Sequence, residues 1–145
     1  MPPIGLRHDA PSHGWLTLRL TAGDKTVTID ASDVPNNPLQ DLIAAIEAAA
    51  TGTESSVWWH LEPDGYFTNF KPAGSEIHFS VEFATRSEKR LAQCVVSVSG
   101  KREEVLLPFW RFLREFQSHS YQEPHWPSVD FSRMQAIKLS IGAAE

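Results

Sequence analysis

Residues 55–71, SSVWWHLEPDGYFTNFK, decide the fold, because they carry the strongest hairpin signal in the chain. Side chains alternate with period two before Asp64-Gly65, a pair typical of tight turns between strands. Successive side chains of a β-strand point to opposite faces. The sequence therefore predicts two antiparallel strands joined at Pro63-Asp64-Gly65. The predicted core face of the first strand carries Val57, Trp59 and Leu61, and its opposite face carries Trp58, His60 and Glu62.

The same alternation recurs on both sides of this hairpin and predicts further strands. Residues 15–21 and 26–31 form a second hairpin around Ala22-Gly23-Asp24, and residues 76–83 and 91–99 follow the central one. Short turns between consecutive strands favour an antiparallel meander.

Two segments carry apolar residues at helical spacing. Residues 38–50 follow Asn37, a good N-cap, and begin with Pro38, which suits the first helical position. Residues 108–118 carry an aromatic stripe, and a short C-terminal helix is predicted after Asp130 as its cap. Residues 101–107 fit either an edge strand or the first turns of a helix, and Pro108 favours the strand.

These elements predict an α+β fold with one antiparallel sheet of six or seven strands in a meander. The two main helices pack on one face of the sheet, beside the short C-terminal helix. A chain of 145 residues suits one domain. We expect residues 1–12 to be a loose N-terminal arm, because they contain three prolines and no periodicity, and residues 13–145 to form a single α+β domain.

Charge and composition exclude several classes of protein. The net charge of −5 disfavours nucleic-acid binding and would suit a basic protein partner. No run approaches the roughly 20 apolar residues of a membrane span, and the N-terminal prolines do not fit a secretory signal. We therefore expect a cytoplasmic protein that binds neither nucleic acid nor membrane. Cys94 is the single cysteine, so no intramolecular disulfide forms, and we expect a buried, inert thiol.

The chain contains no phosphate-binding glycine loop, HExxH, GxSxG, calcium loop or CxxC motif. We accordingly predict no catalytic residue, no metal ligand and no cofactor, and a protein without chemistry of its own is favoured over an enzyme.

The face of the sheet opposite the core is the predicted functional surface. Tryptophan and arginine dominate protein-binding hot spots, which makes Trp58 the central residue of a predicted interface. A rival interpretation is a small metal-dependent enzyme or ligand-binding protein that uses His60, Glu62 and His78. A third interpretation is a homo-oligomer, and the alternative to all three is an ordinary solvated sheet face. The predicted partner-binding residues are Trp15, Arg19, Trp58, His60, Glu62, His78 and Glu82.

A second cluster follows the aromatic helix and mixes potential ligands with aromatic anchors. Its members either form a functional loop or close one end of the core, which is the favoured interpretation. They are His119, Tyr121, Glu123, His125 and Trp126.

The order of elements resembles small uncharacterised bacterial proteins, some of them similar to immunity proteins of polymorphic toxin systems. The segments that carry the resemblance are SDVPNNPLQDLIAAIEAA at 32–49, VWWHLEPDGYF at 57–67 and PFWRFLREF at 108–116, followed by Tyr121 and Trp126. The resemblance implies that the chain binds and neutralises a toxin, or another protein, and it assigns a role to no individual residue.

Overall fold

Seven strands and three helices form the described part of this computed structural model, which covers residues 4–9, 14–32, 36–88, 92–118 and 131–142. The strands are β1 (Ile4–His8), β2 (Trp15–Ala22), β3 (Lys25–Ser32), β4 (Ser55–His60), β5 (Gly65–Ala73), β6 (Glu76–Ala84) and β7 (Gln93–Lys101). The helices are α1 (Pro38–Ala50), α2 (Arg102–Ser118) and α3 (Phe131–Ile141). None of these three helices is both long and apolar enough to cross a membrane.

The strands form two antiparallel sheets, with orders β1-β2-β3 and β4-β5-β6-β7. The α+β class is confirmed, but the prediction of one sheet of six or seven strands is wrong. The strand order within each sheet follows the chain, as in a meander, and short turns join β2 to β3, β4 to β5 and β5 to β6. The meander is interrupted between β3 and β4, because α1 lies between them in the chain and contacts β4. A helical connection does not require its two flanking strands to pair, whereas a tight turn does.

β1 corrects part of the prediction that residues 1–12 form a loose arm, since residues 4–8 form a strand while residues 1–3 and 10–12 lie outside the described residues. Ile4–His8 pair with β2 in antiparallel register, and Ile4 is 1% exposed. Ile4 and Leu6 alternate with Gly5 and Arg7, which is the period of a strand with one buried face. The signal spans only five residues between prolines, so the sequence pattern alone was too short to reveal it.

α2 settles the ambiguity at residues 101–107, because the helix begins at Arg102 and runs through Pro108. Glu104 Oε1 accepts a hydrogen bond from the Lys101 backbone N–H at 2.8 Å, as in a capping box. Val105 and Leu106 are fully buried. Burial of two such side chains contributes about 3–6 kcal/mol and offsets the roughly 3 kcal/mol cost of an internal proline.

α1 confirms the predicted helix over residues 38–50. The Asn37 side chain accepts hydrogen bonds from the backbone N–H groups of Leu39 and Gln40, at 3.0 and 3.2 Å. These bonds satisfy two donors that have no partner within the helix.

α2 connects the two sheets through its aromatic side chains. The Phe109 ring contacts Phe70 and Phe79 of the four-stranded sheet, with centroid distances of 5.1 and 5.2 Å. Further along the helix, Phe112 and Phe116 contact the His8 ring of β1 at 5.2 and 5.3 Å. One face of each sheet and all three helices therefore share a single apolar core.

α3 confirms the predicted C-terminal helix, while its expected cap, Asp130, lies outside the described residues. Trp110 Nε1 of α2 donates a buried hydrogen bond of 2.8 Å to the Met134 carbonyl. Arg133 Nη2 donates to Glu47 Oε1 of α1 at 2.9 Å, and this hydrogen bond raises the pKa of Arg133 above its ordinary value. α3 is thus held to both other helices.

Replacement of Trp110 by phenylalanine tests this attachment. Trp110→Phe keeps an aromatic ring but leaves the Met134 carbonyl without its indole donor. We expect the free energy of unfolding to fall by about 1–3 kcal/mol, because a buried hydrogen bond and part of the buried indole surface are lost. Urea denaturation followed by circular dichroism measures the change. Trp15→Phe, the same replacement at a side chain that is 38% exposed, should change it by less than about 0.5 kcal/mol. Equal effects of the two variants would contradict the role of this bond.

Candidate partner-binding surfaces

The seven predicted partner-binding residues lie on two separate surfaces. Trp15 and Arg19 belong to β2 and lie on the outer face of the three-stranded sheet, opposite the core. The others belong to the four-stranded sheet or its first turn: Trp58, His60, Glu62, His78 and Glu82. The prediction that one sheet face gathers all seven residues is therefore wrong, because the strands that carry them pair in different sheets.

Trp58 lies on the outer face of the four-stranded sheet but is only 9% exposed. Its ring packs against Phe67 with a centroid distance of 4.8 Å, and Ala84 completes this small apolar cluster. Trp58 Nε1 donates to His60 Nδ1 at 3.0 Å. The sequence interpretation of Trp58 as an exposed anchor does not match this environment, since both its apolar surface and its N–H group are occupied within the sheet.

Gly65 makes room for the Trp58 ring. A Cβ atom at Gly65 would lie 2.7 Å from two carbons of that ring and against the Trp59 carbonyl oxygen. Gly65 is the first residue of β5, so the turn lies earlier in the chain than the predicted Pro63-Asp64-Gly65. The turn is centred on Glu62 and Pro63, where φ of Glu62 is 77°, and Asp64 O accepts the Leu61 N–H at 2.7 Å. The glycine thus permits a close packing contact and not the turn itself.

Glu82 participates in a hydrogen-bond network across the same face. Asn69 Nδ2 donates to Glu82 Oε1 at 2.8 Å and to Ser80 Oγ at 3.1 Å. Ser56 Oγ donates to Asn69 Oδ1 at 2.7 Å. Ser56, Asn69 and Ser80 are direct cross-strand neighbours, so the network follows from strand register. It stabilises the pairing of β4, β5 and β6 and accounts for the position of the Glu82 carboxylate.

The strand register separates the residues of the rival metal-site interpretation. His60 pairs with Gly65, which pairs with Ala84, and His78 lies six positions before Ala84 on β6. At about 3.3 Å per residue, the two histidines are roughly 20 Å apart along the sheet. Glu62 lies in the turn beyond His60. Within the described ranges, no group of three or more His, Cys, Asp or Glu side chains could hold a metal ion.

Most side chains on the outer face of the three-stranded sheet are exposed, although Thr17 is half-buried and Ser32, opposite Trp15, is buried. Trp15 is 38% exposed at one end of β2, and Arg19 follows it on the same face. Register places Arg7 of β1 directly opposite Arg19. Sequence reasoning missed Arg7 because it treated this segment as a loose arm. The alternation of Ile4 and Leu6 with polar positions was the available signal.

A groove of about 460 Å³ opens beside these arginines. Arg19 donates to both carboxylate oxygens of Asp9, at 3.3 Å each. Thr21 and Thr26 form the far side, where their hydroxyl groups are 3.1 Å apart. The residues that line the groove are Gly5, Leu6, Arg7, Arg19, Thr21 and Thr26.

Two further predictions concern residues outside these surfaces. The expectation of a buried Cys94 is wrong, because the residue is exposed on β7, at the edge of the four-stranded sheet. The cluster formed by His119, Tyr121, Glu123, His125 and Trp126 lies outside the described residues.

A pair of glycine variants tests the packing of Trp58. Gly65→Ala places a methyl group against the Trp58 ring, and we expect the free energy of unfolding to fall by about 2 kcal/mol or more. Gly5→Ala is the matched control, since its nearest neighbour would be Thr21 Cβ at 3.9 Å. It should raise stability by about 0.5 kcal/mol, because alanine loses less conformational entropy than glycine. Urea denaturation measures both, and a neutral Gly65→Ala would contradict the contact.

Comparison with known proteins finds no match for this chain. No family model matches it, and neither does a curated protein or a solved structure. The resemblance to immunity proteins therefore stays a prediction, and the functional argument rests on the geometry of the described residues.

Proposed function

We propose that this chain is a non-catalytic protein-binding module that contacts its partner through the outer face of the three-stranded sheet. The observation that carries the proposal is the exposure of Trp15 on the same face as Arg7 and Arg19. Tryptophan and arginine are the residues most enriched in binding hot spots. Trp15 is 38% exposed, whereas Trp58, Trp59 and Trp110 are all buried.

The arrangement of side chains suits an interface. Backbone pairing within the antiparallel sheet fixes the spacing of the side chains on its exposed face without a partner. Trp15 supplies a large apolar area at one end, and the two guanidinium groups supply fixed hydrogen-bond donors about four residues along β2. A partner that covers this face would desolvate the tryptophan and could pair polar groups with the two guanidinium groups.

An immunity-type inhibitor of a bacterial toxin is one form of this proposal, and the sequence resemblance supports it. The net charge of −5 would attract a basic toxin at long range. At the contact itself, Arg7 and Arg19 would pair with acidic groups on the partner. A cytoplasmic location is consistent with this role and belongs to the same proposal.

A pull-down with matched variants tests the surface. The purified protein serves as bait in lysate of the organism that encodes it, beside Trp15→Ala and Leu139→Ala. Leu139 is 65% exposed on α3 and controls for the loss of an exposed apolar side chain elsewhere. We expect one stoichiometric partner with the wild type and with Leu139→Ala, and its loss with Trp15→Ala. Calorimetry with that purified partner should show a loss of about 2 kcal/mol or more for Trp15→Ala.

Circular dichroism of each variant verifies that the fold is intact. A partner that Trp15→Ala retains with unchanged affinity would contradict the proposed surface. If the wild type retains no partner and sedimentation analysis shows a dimer, the surface binds a second copy of the chain and not an external protein.

A further inference from the structure

Gly5 is a glycine that the backbone does not require. It lies in the middle of β1 on the exposed face, and its φ is outside the positive range. A Cβ atom there would meet only Thr21 Cβ at 3.9 Å, which is ordinary contact. Glycine weakens a strand and often marks a site where a ligand or another backbone approaches closely. Its missing side chain opens the groove of about 460 Å³ described above.

The charges beside this groove are unbalanced. Arg7 and Arg19 are direct cross-strand neighbours, and like charges in that position destabilise a sheet. Asp9 compensates Arg19 through two contacts of 3.3 Å. Within the described part of the chain, Arg7 has no ion pair. A carboxylate placed over Gly5 would lie in the groove that both arginines line and would offset their repulsion.

β1 also presents an open edge beside the groove. The Asp9 N–H donates to the Thr17 carbonyl at 3.1 Å, which fixes the alternation of the β1–β2 ladder. The pairs Arg7–Arg19 and Gly5–Thr21 are therefore hydrogen-bonded, and the N–H and C=O groups of Leu6 point away from β2. In the described residues β1 pairs with β2 alone, so these groups are available to an added strand.

A second, smaller groove lies on the other side of the same edge, between β1 and α2. Its volume is about 210 Å³, and its walls mix apolar with charged side chains. Leu6 borders both grooves. Side chains of an added strand would alternate between them, because successive residues point to opposite faces. The lining residues are Ile4, Leu6, Pro108, Arg111, Phe112 and Glu115.

We infer that the β1 edge binds an extended acidic segment of the partner protein by strand addition. Carboxylate side chains of that segment occupy the groove over Gly5 and pair with Arg7 and Arg19. The intervening side chains are aliphatic and enter the groove beside Pro108 and Phe112. Main-chain hydrogen bonds to Leu6 supply affinity, and the two grooves supply specificity. The inference rests on the proposed function and adds the chemistry of the segment that is bound.

The probe is a short, end-capped peptide that alternates glutamate and valine, titrated into ¹⁵N-labelled full-length protein. We expect amide shift changes centred on Gly5, Leu6 and Arg7, with slower hydrogen exchange of the Leu6 amide. A peptide that alternates lysine and valine should bind at least tenfold more weakly. Gly5→Val fills the groove in a strand-compatible way, and Arg7→Gln removes one charge; each should weaken binding at least tenfold. Denaturation verifies that both variants fold.

Trp15→Ala separates this inference from the proposed function. Trp15 lies four residues from Arg19 along β2, so this variant should bind the peptide normally while losing the partner. Loss of the partner without any peptide binding would overturn the strand-addition model and leave the proposed function intact. Equal affinity for the lysine peptide, or unchanged affinity in Gly5→Val, would also overturn it. Tighter binding of a single-stranded oligonucleotide than of the glutamate peptide would overturn it as well. A dimer of the chain that the Gly5→Val substitution dissociates would also overturn it.

Discussion

Packing of the Phe109 ring against Phe70 and Phe79 is the contact on which the rest of the structure depends. All three rings are fully buried, and their centroids lie within 5.3 Å of one another. Aromatic pairs at these distances contribute about 0.5–1.5 kcal/mol each beyond their buried area. The contact fixes α2 on the four-stranded sheet. α2 in turn holds β1 through His8 and α3 through Trp110, so one helix orders both sheets.

This arrangement directs one face of each sheet to the shared core and the other face outward. The two outer faces differ in the exposure of their side chains. On the four-stranded sheet, the Trp58 ring lies over Gly65 and the polar side chains around Asn69 bond to one another. On the three-stranded sheet, Trp15 and Arg7 are exposed. Polar groups bond to one another on both faces, as Thr21 and Thr26 do on the three-stranded sheet, so the difference is that Trp15 is exposed whereas Trp58 is buried. The three-stranded sheet is therefore the better candidate interface.

Sequence reasoning succeeded where the signal was local. Asn37 and Pro38 mark the start of α1 because capping involves residues two or three positions apart. The hairpins were recognised because a tight turn forces its flanking strands to pair. It failed at β1, where five residues carry too little periodicity. It failed at Pro108 because the burial of Val105 and Leu106 depends on distant partners. The exposure of Cys94 follows from strand register, which places it opposite Glu82 after a register shift between Val81 and Glu82.

At the candidate site, too, the sequence predicted the local features and missed those that depend on distant residues. Period-two alternation by itself placed Trp15 with Arg19, and Trp58 with His60, on faces opposite the core. Helical spacing and capping signals determined the positions of α1 and α3, and together with the strand alternation they determined the α+β class. Only the tertiary structure decided that these pairs belong to different sheets, that Trp58 is buried, and that Arg7 faces Arg19 beside an open groove. The physical reason is range: capping, turns and alternation act between residues a few positions apart, whereas sheet membership, burial and cross-strand contacts depend on residues far apart in the chain.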